Sequence, residues 1–131
     1  MKLPVVRTKI QTRYSDTDAL GHISAGTYVT YMEVGRLDFY NLLAKDMGRL
    51  VTTVVADLHL DYLHECKYGD EIEVVSWCSR KGTKSLVIDA EIYANGRLSA
   101  KGYSTNVGFN PKTRQSEILP EAWEASNYPE E

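Results

Sequence analysis

A change of hydrophobic period after the first third of this chain limits the folds that it can adopt. Apolar side chains recur at helical spacing after Ser24, which predicts one amphipathic helix that ends near Ala44. From Leu50 onward apolar and polar side chains alternate, which predicts strands. One long helix followed only by strands is typical of an α+β domain in which an antiparallel sheet wraps around the helix.

Five segments have strand character, one before the helix and four after it. The Asn95-Gly96 pair is the strongest hairpin signal, because both residues tolerate the positive φ angles of a two-residue turn. The five segments are Val5 to Thr12, Leu50 to Leu63, Glu71 to Cys78, Ser85 to Tyr93 and Arg97 to Phe109.

The predicted helix should be buried on more than one side, with Tyr28, Met32, Gly35, Phe39 and Leu42 on its apolar face. A glycine inside a helix costs about 1 kcal/mol relative to alanine, so Gly35 indicates a neighbour that packs tightly against the backbone. A single open sheet leaves an unpaired edge, and pairing with a second copy would cover it.

Length and composition limit the classes of protein. The 131 residues fit a single domain covering residues 1–131, and Ala125 to Glu131 is predicted to be a loose C-terminal tail. The formal net charge is −3, which argues against a nucleic-acid partner. Cys66 and Cys78 lack the spacing of a metal site or a disulfide framework, so we expect reduced thiols and a cytoplasmic location. No segment has the length and apolarity of a membrane span.

The join between the first strand and the helix brings a carboxylate beside a helix N-terminus. Asp18 lies in the acidic turn, and the first free amides of the helix belong to Ala25 and Gly26. Helix N-terminal amides and the helix dipole stabilise anions. A nearby carboxylate can deprotonate water or attack a carbonyl directly. An aspartate before a helix is also a common cap or turn former.

Several motifs, taken in order along the chain, resemble the 4-hydroxybenzoyl-CoA thioesterase family of the hotdog fold. The likeness extends from Thr8 to about Pro120, and it departs from the family where Ser24-Ala25 replaces a common Asn-Asn pair. The motifs are Asp-Thr-Asp-Ala-Leu-Gly-His-Ile at Asp16 to Ile23, the spacing of Tyr28, Glu33 and Arg36, then Asp61-Tyr62, Tyr68-Gly69-Asp70 and Asn95-Gly96.

The resemblance implies a five-stranded antiparallel sheet around one long central helix, assembled as a homodimer or a dimer of dimers. It implies an acyl-CoA thioesterase that needs no metal and no cofactor. The catalytic carboxylate is then Asp18, and the Ala25 amide donates to the oxyanion.

Other residues of this region receive supporting or substrate-binding roles. Asp16 is expected to hold the turn, and His22 to have a structural or substrate-positioning role. Glu33 is a less favoured carboxylate that can pair with Arg36 at i, i+3. Gly26 and Tyr28 are expected to border the substrate.

A basic turn between two predicted strands is the candidate for binding the phosphates of CoA. Lysine and arginine are the usual phosphate donors, although a solvated turn has the same composition. The candidate residues are Arg80, Lys81, Lys84 and Ser85, of which the resemblance favours Lys84 and Ser85.

Alternative functions remain open from sequence. A non-catalytic acyl-CoA-binding protein could retain the fold, and the acyl group could be carried on acyl carrier protein instead of CoA. A hydratase is disfavoured, because hydratases that resemble this fold have four residues between the Asp and the His. Here Asp16 and Asp18 are separated from His22 by five and three residues.

Overall fold

A computed structural model, which describes residues 1–129, shows one long helix packed on an antiparallel sheet. The sheet order is β1-β3-β4-β5-β2, and a two-residue strand β6 pairs with the end of β5. The elements are β1 Val6–Ile10, a short 3-10 turn Tyr14–Asp16, α1 Ala25–Met47, β2 Thr53–Tyr62, β3 Ile72–Lys81, β4 Ser85–Ala94, β5 Arg97–Asn110 and β6 Gln115–Ser116.

The alternating pattern of the later strands gives the sheet one apolar face toward α1. On β4 the side chains of Leu86, Ile88, Ala90 and Ile92 are all buried. The turn at Asn95 has positive φ angles, as the hairpin motif predicts. The five predicted strands and the α+β class are therefore confirmed.

Gly35 marks the closest approach of α1 to the sheet. A Cβ atom at this position would lie 2.7 Å from both Ser76 Oγ and Val74 Cγ1, so only glycine allows this contact. The helix ends three residues later than predicted, at Met47, and Gly48 caps it with φ of 72°.

Two expectations about α1 are wrong: that Leu42 lies on its apolar face and that the helix is buried on more than one side. Leu42 is 38% exposed, whereas Tyr31 and Leu43 are buried. Because a helix turns 100° per residue, the spacing rule does not determine which residue of the last turn faces the sheet. Strands β1, β3 and β4 pack against α1. On the side of α1 that faces β2, Val34 and Leu37 remain exposed.

The C-terminal segment is attached to the sheet as far as it is described, contrary to the expected loose tail. The Ser126 amide donates to the Cys78 carbonyl oxygen at 2.7 Å, and the Tyr128 ring packs on Trp77 with centroids 4.4 Å apart. The last two residues of the predicted tail lie outside the described residues.

Candidate active site

Asp16 holds the turn that leads into α1. Its buried carboxylate accepts hydrogen bonds from the Tyr31 hydroxyl at 2.7 Å, the Arg13 amide at 2.9 Å and the Arg13 guanidinium at 3.2 Å. Burial alone raises the pKa of a carboxyl group, but the donors from Tyr31 and Arg13 outweigh it and hold the pKa of Asp16 below its ordinary value. Asp16 is therefore committed to the structure of the turn.

Asp18 lies exposed on the outer side of the same turn. Its Oδ1 atom accepts hydrogen bonds from the amides of Leu20 at 2.9 Å and His22 at 3.2 Å. No residue in the described part of the chain donates to its Oδ2 atom. One oxygen therefore orients the side chain, as in an Asx-turn, while the other can act on a ligand.

The N-terminus of α1 has free amides beside Asp18. Ser24 is the N-cap residue, but its hydroxyl contacts Thr27 Oγ1 at 2.8 Å and caps no amide. Among the described residues, none accepts a hydrogen bond from the amides of Ala25 or Gly26. These two N–H groups are available to an anion or a carbonyl oxygen.

Asp18 and Ala25 line one open groove of about 320 Å³. Tyr62, at the end of β2, donates its hydroxyl to the Ala25 carbonyl oxygen at 2.8 Å. The Tyr62 ring packs edge-on against Tyr28, with centroids 5.1 Å apart. The other residues that line the groove are His22, Ile23, Leu63, His64 and Glu65.

Tyr28 forms part of the groove wall and has its hydroxyl already bonded. The Cys66 amide donates to that hydroxyl at 2.9 Å. Burial, together with the neighbouring Cys66, raises the pKa of Tyr28 above its ordinary value. The phenol therefore stays protonated and is a poor candidate for a base.

His22 is oriented by a residue that sequence reasoning did not identify. Its Nε2 atom lies 3.1 Å from a carboxylate oxygen of Glu65, and its backbone bridges to Lys67. Glu65 follows β2 and is far from His22 in sequence, so no local spacing could reveal the pair.

Glu33 lies apart from this groove. It is on α1 eight residues beyond Ala25, about 12 Å along the axis at 1.5 Å per residue. Its side chain is 68% exposed and lies 3.5 Å from the Arg36 guanidinium. Glu33 lines a different cleft, between α1 and β2.

The basic turn lies at the far end of the sheet from Asp18 within one protomer. Ser85 pairs with Val107, which pairs with Val54, whereas Tyr62 at the groove lies at the opposite end of β2. Tyr62 pairs with Ala100, which pairs with Ile92, and the seven steps along β4 from Ser85 to Ile92 span about 23 Å at 3.3 Å each. The residues of the turn are Arg80, Lys81, Lys84 and Ser85, and the Gly82 amide closes it on the Ser85 carbonyl oxygen at 2.7 Å.

Two negative observations concern the described residues alone. They contain no cluster of three or more His, Cys, Asp or Glu side chains that could hold a metal ion. They also contain no helix that combines the length and the apolar character needed to span a membrane.

The fold and this site define a class of protein: a hotdog domain of the thioester hydrolase type. The chain belongs to the thioesterase-like superfamily, whose family model matches residues 12–126. The family resemblance of the sequence is thereby confirmed.

Three relatives show how far this similarity extends. A protein of Bacillus subtilis strain 168, provisionally named acyl-CoA thioesterase YneP, is 30% identical over 79% of this chain and 78% of its own length. The structure of a predicted thioesterase from Bacillus stearothermophilus is 34% identical, with a TM-score of 0.81 over 90% of both chains. A thioesterase from Thermus thermophilus, solved in complex with coenzyme A and Zn, is 30% identical, with a TM-score of 0.76 over 88% of this chain and 86% of its own.

Proposed function

We propose that this protein is an acyl-CoA thioesterase that hydrolyses its substrate to a free acid and CoA. The observation that carries the proposal is that Asp18 and Ala25, whose amide donates to no acceptor among the described residues, line the same groove. The acyl-CoA thioesterase name of YneP and the coenzyme A bound to the Thermus relative support the substrate class.

The chemistry follows from what each group can do. Attack on the thioester carbon places negative charge on the carbonyl oxygen, and the Ala25 amide at the helix N-terminus donates to it. The free Oδ2 atom of Asp18 either takes a proton from the attacking water or attacks the carbon itself. The new C–O bond replaces the C–S bond, and the thiolate of CoA leaves and is protonated. If Asp18 itself attacks, the product is a mixed anhydride, which water then hydrolyses to the free acid and the restored Asp18 carboxylate.

A second protomer completes the substrate site in this proposal. β2 is an edge strand, and antiparallel pairing with the β2 strand of a copy places Tyr62 of one protomer beside Thr53 of the other. The copy's basic turn lies at that same end of its sheet. Lys84 and Ser85 of the copy, with Arg80 and Lys81 nearby, can then meet the phosphates of a CoA bound beside Asp18.

The homodimer is the minimal catalytic unit, and a homotetramer would be a pair of such dimers. Of the remaining residues, we assign Gly26 and Tyr28 to the substrate border, and His22 to positioning. Asp16 and Glu33 have supporting roles. The proposal also includes a cytoplasmic location, because the two cysteines are buried and unpaired among the described residues.

One observation favours a second candidate, a non-catalytic acyl-CoA-binding protein. Two hydrogen bonds to loop amides already account for Asp18 as a turn former, and Ser24-Ala25 departs from the family pattern. Binding without turnover of acyl-CoA would support this candidate.

The variant Asp18→Asn separates the two candidates. An asparagine oxygen can still accept from the Leu20 and His22 amides, so the turn is retained while the base or nucleophile is lost. We expect kcat/KM to fall by about 10²–10⁴-fold, measured as thiol release from a panel of acyl-CoAs. Acyl carrier protein thioesters are assayed beside them to identify the carrier.

Asp46→Asn is the matched control, because Asp46 is exposed at the other end of α1; it should retain wild-type activity. Undiminished turnover by Asp18→Asn, or a wild type inactive on every thioester, would overturn the proposal. A single turnover in ¹⁸O-labelled water distinguishes the two routes, because label incorporated into Asp18 indicates the anhydride.

A further inference from the structure

The last residue of β2 is hydrogen-bonded to the first residue of α1. Tyr62 donates its hydroxyl hydrogen to the Ala25 carbonyl oxygen at 2.8 Å, and both residues line the groove that contains Asp18. Strand β2 lies at the edge of the sheet, whereas β1, β3 and β4 are the strands that pack against α1. The bond therefore ties the N-terminus of the helix to a strand outside the surface on which the helix rests.

The first turn of α1 lacks the cap that a serine normally supplies. Ser24 is the N-cap residue, but its side chain makes no capping hydrogen bond to the helix amides. Terminal turns of helices fray unless side chains or neighbouring groups hold them. A carbonyl oxygen has two lone pairs, and the helix uses one of them. The Tyr62 hydroxyl can therefore stabilise this turn through the second lone pair of the Ala25 carbonyl oxygen.

The peptide that precedes Ala25 is also held in place. The Ser24 carbonyl oxygen, which belongs to the same peptide unit as the Ala25 N–H group, accepts from the Thr27 amide at 3.0 Å. The Ser24 amide donates to the Asp16 carbonyl oxygen at 2.9 Å. Tyr62 holds the peptide that follows Ala25. The direction of the free Ala25 amide is therefore fixed from both sides, and it cannot change without breaking one of these bonds.

The ring of Tyr62 is itself fixed by its neighbours. It packs edge-on against Tyr28, with centroids 5.1 Å apart. The Tyr28 hydroxyl accepts from the Cys66 amide at 2.9 Å, and the Cys66 carbonyl oxygen accepts from the Ile23 amide at 2.8 Å. The Tyr62 hydroxyl has a single hydrogen, which it gives to Ala25, so it cannot donate to a substrate at the same time. Tyr62 therefore acts through Ala25.

We propose that Tyr62 is a positioning residue for thioester hydrolysis, and that its hydroxyl holds Ala25 where the free amide of that residue can donate to the oxyanion. This inference rests on the proposed thioesterase function and adds a residue of β2 to its site. Donors to an oxyanion are effective because their direction is set before the charge develops. Without the Tyr62 bond the amide is still present but the first turn can move, so the rate should fall while substrate binding is retained.

The variant Tyr62→Phe removes the hydroxyl and retains the ring against Tyr28. On the best substrate among acetyl-, octanoyl-, palmitoyl- and benzoyl-CoA, we expect kcat to fall by about 10-fold with KM unchanged, a smaller loss than the roughly 10²–10³-fold that follows removal of an oxyanion donor. Para-aminophenylalanine in place of Tyr62 again offers a hydrogen-bond donor to Ala25 and should restore much of the rate. O-methyltyrosine, which has the oxygen without its hydrogen, should not restore it.

Infrared spectra of a bound substrate test the same step without turnover. Asp18→Asn, which should slow hydrolysis, is mixed with the same acyl-CoA labelled with ¹³C at the thioester carbonyl. A donor of fixed direction lowers the stretching frequency of that carbonyl and narrows its band. The band should rise in frequency and broaden in the double variant Asp18→Asn/Tyr62→Phe, which a purely structural role of Tyr62 would not cause.

Tyr103→Phe is the control and should have the kcat and KM of the wild type. Tyr103 is also partly exposed and packs on another ring, that of His59, with centroids 5.4 Å apart, but it lies on β5 and does not line the groove. An undiminished kcat for Tyr62→Phe, a rise in KM alone or an unchanged carbonyl band would each overturn the inference. So would a Tyr62→Phe variant that is monomeric in size-exclusion chromatography or unfolded by circular dichroism, because Tyr62 would then support the interface or the fold. A wild type inactive on every acyl-CoA would instead overturn the proposed function.

Discussion

Two aspartates two positions apart have opposite environments in this protein. Asp16 is 4% exposed and receives three hydrogen bonds, whereas Asp18 is exposed and has one oxygen free of donors from the described residues. The difference arises because the 3-10 turn points Asp16 toward Tyr31 and Asp18 toward solvent. A change at each position should therefore affect a different property, stability at Asp16 and turnover at Asp18.

Asp16→Asn should make the protein less stable, and it should make that stability less dependent on pH. The pKa of Asp16 lies below its ordinary value of 3.8, so the carboxylate stabilises the fold above that pH and this contribution is lost as the pH falls further. We expect the variant to lose about 1–3 kcal/mol of unfolding free energy at neutral pH. Its stability should fall less steeply than that of the wild type below pH 3.8.

Urea unfolding at a series of pH values measures both effects. Asp46→Asn is the comparison, since Asp46 is exposed near the C-terminal end of α1. Parallel curves for Asp16→Asn and the wild type would show that the hydrogen bonds of Asp16 do not stabilise the turn.

Sequence reasoning at this scale succeeds where contacts are local. The carboxylate beside a helix N-terminus was visible because both lie within ten residues. The contacts of His22 with Glu65 and of Ala25 with Tyr62 were not visible in the sequence. These contacts join segments that are distant along the chain and meet only in the folded protein, so no sequence spacing could predict them.

At the scale of elements, alternation predicts the strands inside the sheet better than the strand at its edge. β4 has one face on the helix, so its buried and less buried residues alternate along its whole length. β2 begins at Thr53, three residues later than predicted, and most of its residues are exposed. Without a buried face in one protomer, its sequence contains no pattern that defines its start.

Gly35→Ala tests the closest contact between helix and sheet. Alanine would gain about 1 kcal/mol of helix propensity, but its Cβ would lie 2.7 Å from Ser76 Oγ and Val74 Cγ1. We expect a net loss of about 1–3 kcal/mol, because overpacking in a well-packed interior displaces the neighbours.

Gly26→Ala in the same helix is the matched control for stability. A Cβ at Gly26 meets nothing within 4 Å, so this variant should be equally stable or more stable by up to about 1 kcal/mol. Thermal unfolding of the pair would contradict the packing argument if Gly35→Ala melted at or above the wild-type temperature.

For the whole molecule, one group of exposed apolar residues lies where the proposed dimer needs it. Leu37 on α1 is 56% exposed, and Val54, Val55 and Leu58 on β2 are 43%, 42% and 37% exposed. Apolar side chains along an unpaired edge strand are typical of an interface. The sequence predicted an uncovered edge, but the particular surface depends on which strand lies last in the sheet.

Leu37→Glu should convert the dimer to a monomer and abolish turnover at the same time. The monomer should remain folded, because Leu37 is largely exposed in one protomer. Multi-angle light scattering gives the mass, circular dichroism the fold and thiol release the activity.

Leu42→Glu is the control on the same helix. Leu42 is also partly exposed, but it lies one turn from Asp38, whose carboxylate accepts from Thr8 on β1, at the other edge of the sheet. This variant should remain dimeric and active. A fully active monomer of Leu37→Glu would show that one chain contains the whole site.

The separation of about 23 Å along the sheet between the Asp18 groove and the basic turn has a consequence for mixtures of variants. In the proposed two-fold dimer, each reaction centre takes its carboxylate from one subunit and its phosphate donors from the other. A heterodimer of an Asp18 variant and a Lys84 variant would concentrate both defects in one centre and leave the second centre intact. Two inactive preparations, co-refolded together, would therefore regain part of the wild-type rate through complementation.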